Sequence, residues 1–188
     1  MIFKRSILWI YLLFVSLLGS FSASAHAGEV LGSGLSFKTG DAILLDPSAT
    51  KKGLVLIFVS PVCPCSLTHE AHLSELAQKY TPKGFKFFGV HSNANENFES
   101  AKAHFGSFQM PFDIVSDPQS KIADRLQALS TPHAFVIAPS GELLYAGGVS
   151  DSSNFFRSRK RYLERVLEEV SEGKVPSLRE ARVLGCII

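Results

Sequence analysis

The chain has 188 residues, 46% hydrophobic and 19% charged, with 15 Phe, 9 Pro, 14 Gly and 3 Cys. This is enough apolar material to close one core of ordinary size, and it excludes a disordered or collagen-like chain. The formal net charge of +2 comes wholly from Lys4 and Arg5, since the first 27 residues hold no Asp or Glu, and the neutral remainder offers nothing to nucleic acid or to an acidic membrane surface.

Lys4 and Arg5 precede an almost wholly apolar run from Ile7 to Leu18, and small residues at Ala23, Ala25 and Ala27 fit a signal-peptidase site. Residues 1–27 read as a cleaved secretory signal, with 28–188 as a single domain. The run is short for a spanning helix, which needs about 20 residues, so no stable membrane insertion is expected after cleavage. The location expected is periplasmic or secreted.

A Gly/Ser-rich opening from Gly28 to Ser36 reads as loop. Ala42 to Leu45 reads as a short strand, and Gly53 to Val59 as a strand buried on both faces. Leu73, Leu76, Ala77 and Tyr80 fall at helical spacing between Ser66 and Tyr80, and Pro82-Lys83-Gly84 ends that pattern before a strand from Phe85 to His91. Asn95 is the expected cap of a second helix carrying Phe98, Ala101 and Phe105. A strand over Phe112 to Val115 and a third helix, opened by Asp117-Pro118 and carrying Ile122, Leu126 and Leu129, come next. His133 to Ala138 and Glu142 to Val149 flank Pro139-Ser140-Gly141 as a hairpin, and a last helix runs from Ser158 to Glu172 with Tyr162, Leu163, Val166, Leu167 and Val170 on one stripe. Alternating strands and helices, a hairpin and a closing helix predict an α/β fold, a central mixed sheet with helices on both faces. A reactive group is expected at the C-terminal end of a central strand.

Cys63 stands at such an end. Between a buried strand and a helix N-terminus it faces unpaired backbone N–H groups and the positive end of the helix dipole, which favour thiolate over thiol and make it the expected nucleophile. Pro64 separates it from Cys65, and a disulfide across one intervening residue is strained and labile. Cys186, third from the end of the sequence, is either part of a packed tail or a resolving thiol on a mobile arm. Three cysteines cannot all pair within one chain, so a static disulfide framework is a poor fit to an exported protein.

Phe58-Val59-Ser60-Pro61-Val62-Cys63-Pro64-Cys65-Ser66, with Ser130-Thr131-Pro132-His133 downstream, resembles the thioredoxin superfamily. The stretch from about Ser36 to Ile188 is similar to its redoxin branch, the AhpC/TSA-type proteins. Thr131 to Ile137, Ser140 to Tyr145 and the ending Gly185-Cys186-Ile187-Ile188 look like a group of exported bacterial redoxin-domain proteins. The resemblance implies a thioredoxin-like fold, Cys63 as nucleophile, and a cis bond at Thr131-Pro132 beside it. It further implies that the residue before the proline offers backbone hydrogen bonds to an extended substrate. The sequence departs from the pattern in having one residue between its cysteines, Ser66 where a second Cys would stand, and Val62 in place of Trp. Against the peroxiredoxin pattern, Ser60 fits the Thr/Ser position, Leu56 stands where Pro is usual, and Arg125 and Arg157 are the candidates for the essential Arg.

The leading expectation is an exported thiol-disulfide oxidoreductase with Cys63 as nucleophile, Cys65 or Cys186 resolving, and Ser60, Pro64, Thr131, Pro132 and His133 in support. Its partners would be a thiol or disulfide protein substrate and a thiol electron donor or acceptor, with no cofactor. One alternative is a thiol peroxidase, an antioxidant in which Cys63 becomes a sulfenic acid. The other is a copper-binding thioredoxin-like chaperone with Cys63, Cys65, His69 and His133 as ligands. His133 has a further possible role beside Cys63, as a cation favouring the thiolate or as a neutral proton shuttle.

Overall fold

The computed structural model describes residues 29–107 and 110–188; the signal segment expected over 1–27 lies outside them. Strands β1 (Gly32–Ser36), β2 (Ala42–Leu45), β3 (Gly53–Phe58), β4 (Phe85–His91), β5 (Asp113–Ser116), β7 (His133–Ile137) and β8 (Leu143–Gly147) form one sheet in the order β2-β1-β5-β4-β3-β7-β8. Two further short strands, β6 (Ser130–Thr131) and β9 (Cys186–Ile187), pair with each other. β3, β4 and β5 run parallel, while β7 is antiparallel to β3, so the sheet is mixed.

The strand alternation assigns the two faces. Val55, Ile57 and Val59 of the central strand, with Phe85, Phe87, Ala134 and Val136, share one core with helices α1 (Pro64–Tyr80), α2 (Phe98–Ser107) and α4 (Tyr162–Ser171). Leu54, Leu56 and Phe58, with Phe88, Val90, Phe135 and Ile137, point the other way into a second core shared with α3 (Lys121–Leu126) and Leu45 of β2. A strand apolar at every position is therefore covered twice, as expected for the middle of a mixed sheet. α4 buries Leu163, Val166, Leu167 and Val170 on its expected stripe, each contributing about 1.5–3 kcal/mol of burial. Among the described residues no helix is long and apolar enough to cross a membrane.

Several local expectations are corrected. The opening loop contains β1, which pairs with both β2 and β5. Gly34 is needed there, because a Cβ would strike the Ser116 carbonyl. Asn97, not Asn95, caps the second helix, accepting the Ser100 N–H at 3.0 Å. The third helix begins only at Lys121, although Asp117 still serves its first turn by accepting the Ile122 and Ala123 N–H groups at 3.0 and 3.1 Å. Leu129 is 72% exposed and lies outside the core. The last helix starts four residues later than expected, at Tyr162, because Phe155–Arg157 form a separate 3-10 turn capped by Asn154. α1 starts earlier, at Pro64, a residue whose missing N–H and fixed φ suit the first helical position.

Candidate active site

The buried run of β3 delivers the chain to Ser60, and the turn through Pro61 and the exposed Val62 carries it to Cys63, the N-cap residue of α1. Ser60 is fully buried and organises this turn. Its hydroxyl accepts the N–H groups of Cys63 (3.1 Å) and Val62 (3.3 Å) and donates to Glu96 Oε1 at 2.7 Å. Ser66 accepts the Ser60 N–H at 3.2 Å, stitching the first turn of α1 to the end of β3.

Cys63 is 1% exposed and is disulfide-bonded to Cys186, with Cα atoms 5.9 Å apart. Its sulfur makes no hydrogen bond to its own helix N-terminus; it sits 3.2 Å from the Thr131 carbonyl oxygen. The Thr131–Pro132 peptide bond is cis. Thr131 pairs with Cys186, and Ser130 with Ile187, so β9 is laid antiparallel along the segment that leads into Pro132. Cys65 is free and half-buried, one residue into α1 beyond Pro64. The sulfurs of Cys63, Cys65 and Cys186 all lie within 4.8 Å of one another.

The polar surroundings of this trio are unusual in their hydrogen bonding. Asn93 Oδ1, Glu96 Oε2, Thr131 Oγ1 and His133 Nδ1 are all buried without a hydrogen-bond partner, although buried polar atoms are nearly always paired. Asn93 donates from Nδ2 to the Ile187 carbonyl at 3.3 Å, and Glu96 lies 3.9 Å from His91 Nε2. Desolvation pushes His133 down to about 4 and holds His91 below the usual imidazole range. His133, whose ring lies against Phe135, is thus neutral near pH 7, so it supplies no cation to a thiolate.

The structure brings Ser60, Cys63, Pro64, Cys65, Thr131, Pro132 and Cys186 to one end of the central strands. Of the four residues considered as metal ligands, Cys63 and Cys65 are joined by Cys186 rather than by His69 or His133. Both ring nitrogens of His69 are engaged, Nδ1 with the Cys65 carbonyl at 2.7 Å and Nε2 with Ser150 Oγ at 2.9 Å. Arg125 is taken up by Glu29 and the Val30 carbonyl, and Arg157 stands exposed in the 3-10 turn. Asn93 was legible only as loop and capping chemistry, and Glu96 not at all from local pattern. Their signal is topological: they follow β4, the parallel neighbour of β3, and ligand-handling groups gather at the carboxyl ends of adjacent parallel strands.

Solved structures share this fold. An uncharacterized conserved protein from Geobacillus kaustophilus superposes with a TM-score of 0.74 at 22% identity, over 86% of this chain and 90% of that one. The pneumococcal exposed lipoprotein thioredoxin Etrx1 from Streptococcus pneumoniae gives 0.58 at 16% identity, over 73% and 98%. A secreted Mycobacterium tuberculosis disulfide oxidoreductase homologous to E. coli DsbE gives 0.51 at 18% identity, over 60% and 80%. The fold is therefore thioredoxin-like. No curated protein matches the sequence. Residues 37–187, which hold every strand and helix of the site, match one family model, and the chain belongs to the family described as Domain of unknown function (DUF6436).

Proposed function

We propose that this protein is an exported thiol-disulfide oxidoreductase in which Cys63 is the nucleophile and Cys65 or Cys186 is the thiol that resolves its mixed disulfides. The observation that carries the reading is the trio of sulfurs within 4.8 Å, two of them already joined, at the end of a doubly buried strand. A static crosslink does not call for a third thiol within exchange distance. In the reduced protein the Cys63 thiolate attacks one sulfur of a client disulfide; the other client sulfur leaves as a thiolate, and a Cys63–client disulfide forms. A second thiolate of the trio then attacks Cys63, the client departs as a thiolate, and the protein is left oxidised by two electrons. The dipole of α1 favours the Cys63 thiolate in this cycle. The likeness to disulfide oxidoreductases of known fold and the signal-like segment before residue 28 support the same reading.

The test is peptide-disulfide reduction by the reduced mature chain and its single Cys→Ser variants. Cys63→Ser is expected to abolish exchange, whereas Cys65→Ser and Cys186→Ser accumulate the mixed disulfide to different extents. Retained exchange in Cys63→Ser together with its loss in Cys65→Ser would overturn the assignment. Equimolar peroxide followed by thiol mapping examines the peroxidase alternative: sluggish oxidation of Cys63 is the expected result, since Arg125 is engaged by Glu29 and the Val30 carbonyl and Arg157 stands exposed in the 3-10 turn.

The same trio favours a second reading, capture of a soft ion such as Cu(I) by three thiolates after reduction. Stoichiometric Cu(I) retained by the reduced wild type and lost in Cys186→Ser would support it; equal retention by His69→Ala would agree with His69 standing outside the ligand set.

A further inference from the structure

The last segment of the chain does more than supply a sulfur. β9 is held as an extended strand by backbone pairing with Ser130 and Thr131, by the Ile188 N–H donated to the Leu129 carbonyl at 3.1 Å, and by the Asn93 amide donated to the Ile187 carbonyl at 3.3 Å. All three holds act on main-chain atoms of the held segment. They would hold any extended polypeptide that placed a cysteine opposite Thr131.

Side-chain selection enters at two positions. At Gly185, immediately before the cysteine, a Cβ would run into the Thr131 carbonyl and come within 3.2 Å of Pro132 N, so the slot has no room for a side chain there. At Ile188, two residues after the cysteine, the side chain packs against the second core. The intervening Ile187 is 83% exposed and unconstrained. Val62, next in sequence to Cys63, and Leu129, whose carbonyl accepts the Ile188 N–H, are exposed apolar residues. Asn93 Oδ1, buried and without a partner in this arrangement, leaves an acceptor on the same wall for a donor that the present occupant lacks.

We propose that this slot is a sequence-reading client site whose present occupant is the protein's own Gly185–Ile188, and that its clients are extended polypeptides carrying a Gly-Cys-x-aliphatic segment. The inference rests on Cys63 being the nucleophile and names the substrate class for that reading. Asn93 is a binding residue for the client main chain. Since Thr131 pairs with one strand at a time, a client in the slot excludes Cys186. Cys65, which lies outside the slot, is the thiol that remains within reach of Cys63 while the client is bound.

The experiment uses the mature chain carrying Cys65→Ser and Cys186→Ser, and three hexapeptides: Val-Leu-Gly-Cys-Ile-Ile, the same with Ala in place of Gly, and the same with Asp in place of the final Ile. Each peptide cysteine is linked by a disulfide to an aromatic thiol that absorbs when released. Cys63 attacks the peptide sulfur, the aromatic thiolate leaves, and the Cys63–peptide disulfide is confirmed by mass. The Gly peptide is expected to be captured about tenfold faster than either substituted peptide, from the overlap at one position and the lost apolar contact at the other. Asn93→Ala is expected to narrow its advantage over a capped single cysteine linked to the same thiol. The protein's own segment competes equally with every probe, so the ratios are unaffected by it. If this double variant does not fold, the same ratios are read from thiol release by the reduced wild type. Equal rates for the three peptides overturn the site while leaving Cys63 as nucleophile, and no capture of any probe at Cys63 overturns the reading beneath it.

Discussion

At Ser60 one hydroxyl accepts two backbone N–H groups of the Cys63 turn and donates to a largely buried carboxylate. Replacing it with Ala strands all three, and buried groups left without partners cost about 1–3 kcal/mol each where nothing relaxes to replace them. Ser60→Ala is therefore expected to lower stability by about 2 kcal/mol in urea unfolding, and to slow exchange at Cys63 by loosening the turn that presents it. The apolar run of β3 and the CPC spacing marked Cys63 and Cys65, whereas Ser60 and Thr131 were reached through the resemblance to the thioredoxin superfamily and its peroxiredoxin pattern. The sequence left the partner of Cys186 open, since a contact across 123 residues leaves no trace in local pattern. Asn93 read only as loop and capping chemistry, and Glu96 went unremarked, for a related reason. Polar residues in a loop have the same composition whether they face water or hold a buried turn or strand.

β9 is short, and its hold depends on close approach at Gly185. A Gly185→Ala substitution would drive a methyl into the Thr131 carbonyl, which is backbone and cannot swing aside. The expected result is a Cys63–Cys186 disulfide about tenfold easier to reduce in a glutathione titration, with the Cys63→Ser, Gly185→Ala double variant no less stable than Cys63→Ser beyond about 1 kcal/mol. In α3, Asp117 combines a bond from Ser92 Oγ at 2.8 Å with two N–H groups of the first turn, linking the end of β4 to the helix. Asp117→Ala should cost about 1–2 kcal/mol, read as a lower thermal midpoint. The Asp117-Pro118 signal thus located the right cap and the wrong helix start, because Ser120 in the left-handed region inserts a turn between them. β1 was hidden by its own composition: Gly32, Ser33 and Gly34 carry no strand propensity, and the strand exists because it pairs with β2 and β5, the latter approaching too closely at Gly34 for a side chain. The long buried runs of β3 and β4 and the stripe of α4 were legible, since there the period and the burial agree.

For the molecule as a whole, the one disulfide closes most of the described chain, Cys63 to Cys186 being 123 residues apart. In the chain-entropy picture such a loop stabilises by about 4–5 kcal/mol. Urea unfolding with and without a reductant should show a difference of that order, smaller where the reduced β9 stays docked. His69, His72, His91 and His133 are all held below the usual imidazole range by desolvation. The unfolded chain takes up protons on them near pH 6.5, while folded His133 resists protonation down to about 4. Stability is therefore fully present above about pH 7 and is expected to fall progressively between about 6.5 and 4; His133→Phe should flatten the lower part of that profile in thermal melts across the range.

The pairing of Thr131 with a single strand has a kinetic consequence. On the proposed use of the slot, a covalently attached occupant competes with every client at a fixed local concentration, on the order of millimolar or above for a short tether, however dilute the protein. Release of a processed client is then a first-order ejection driven by the returning strand, and free product must approach that local concentration before it slows turnover. A protein built this way would empty itself after each cycle and keep its pace until free product nears that local concentration.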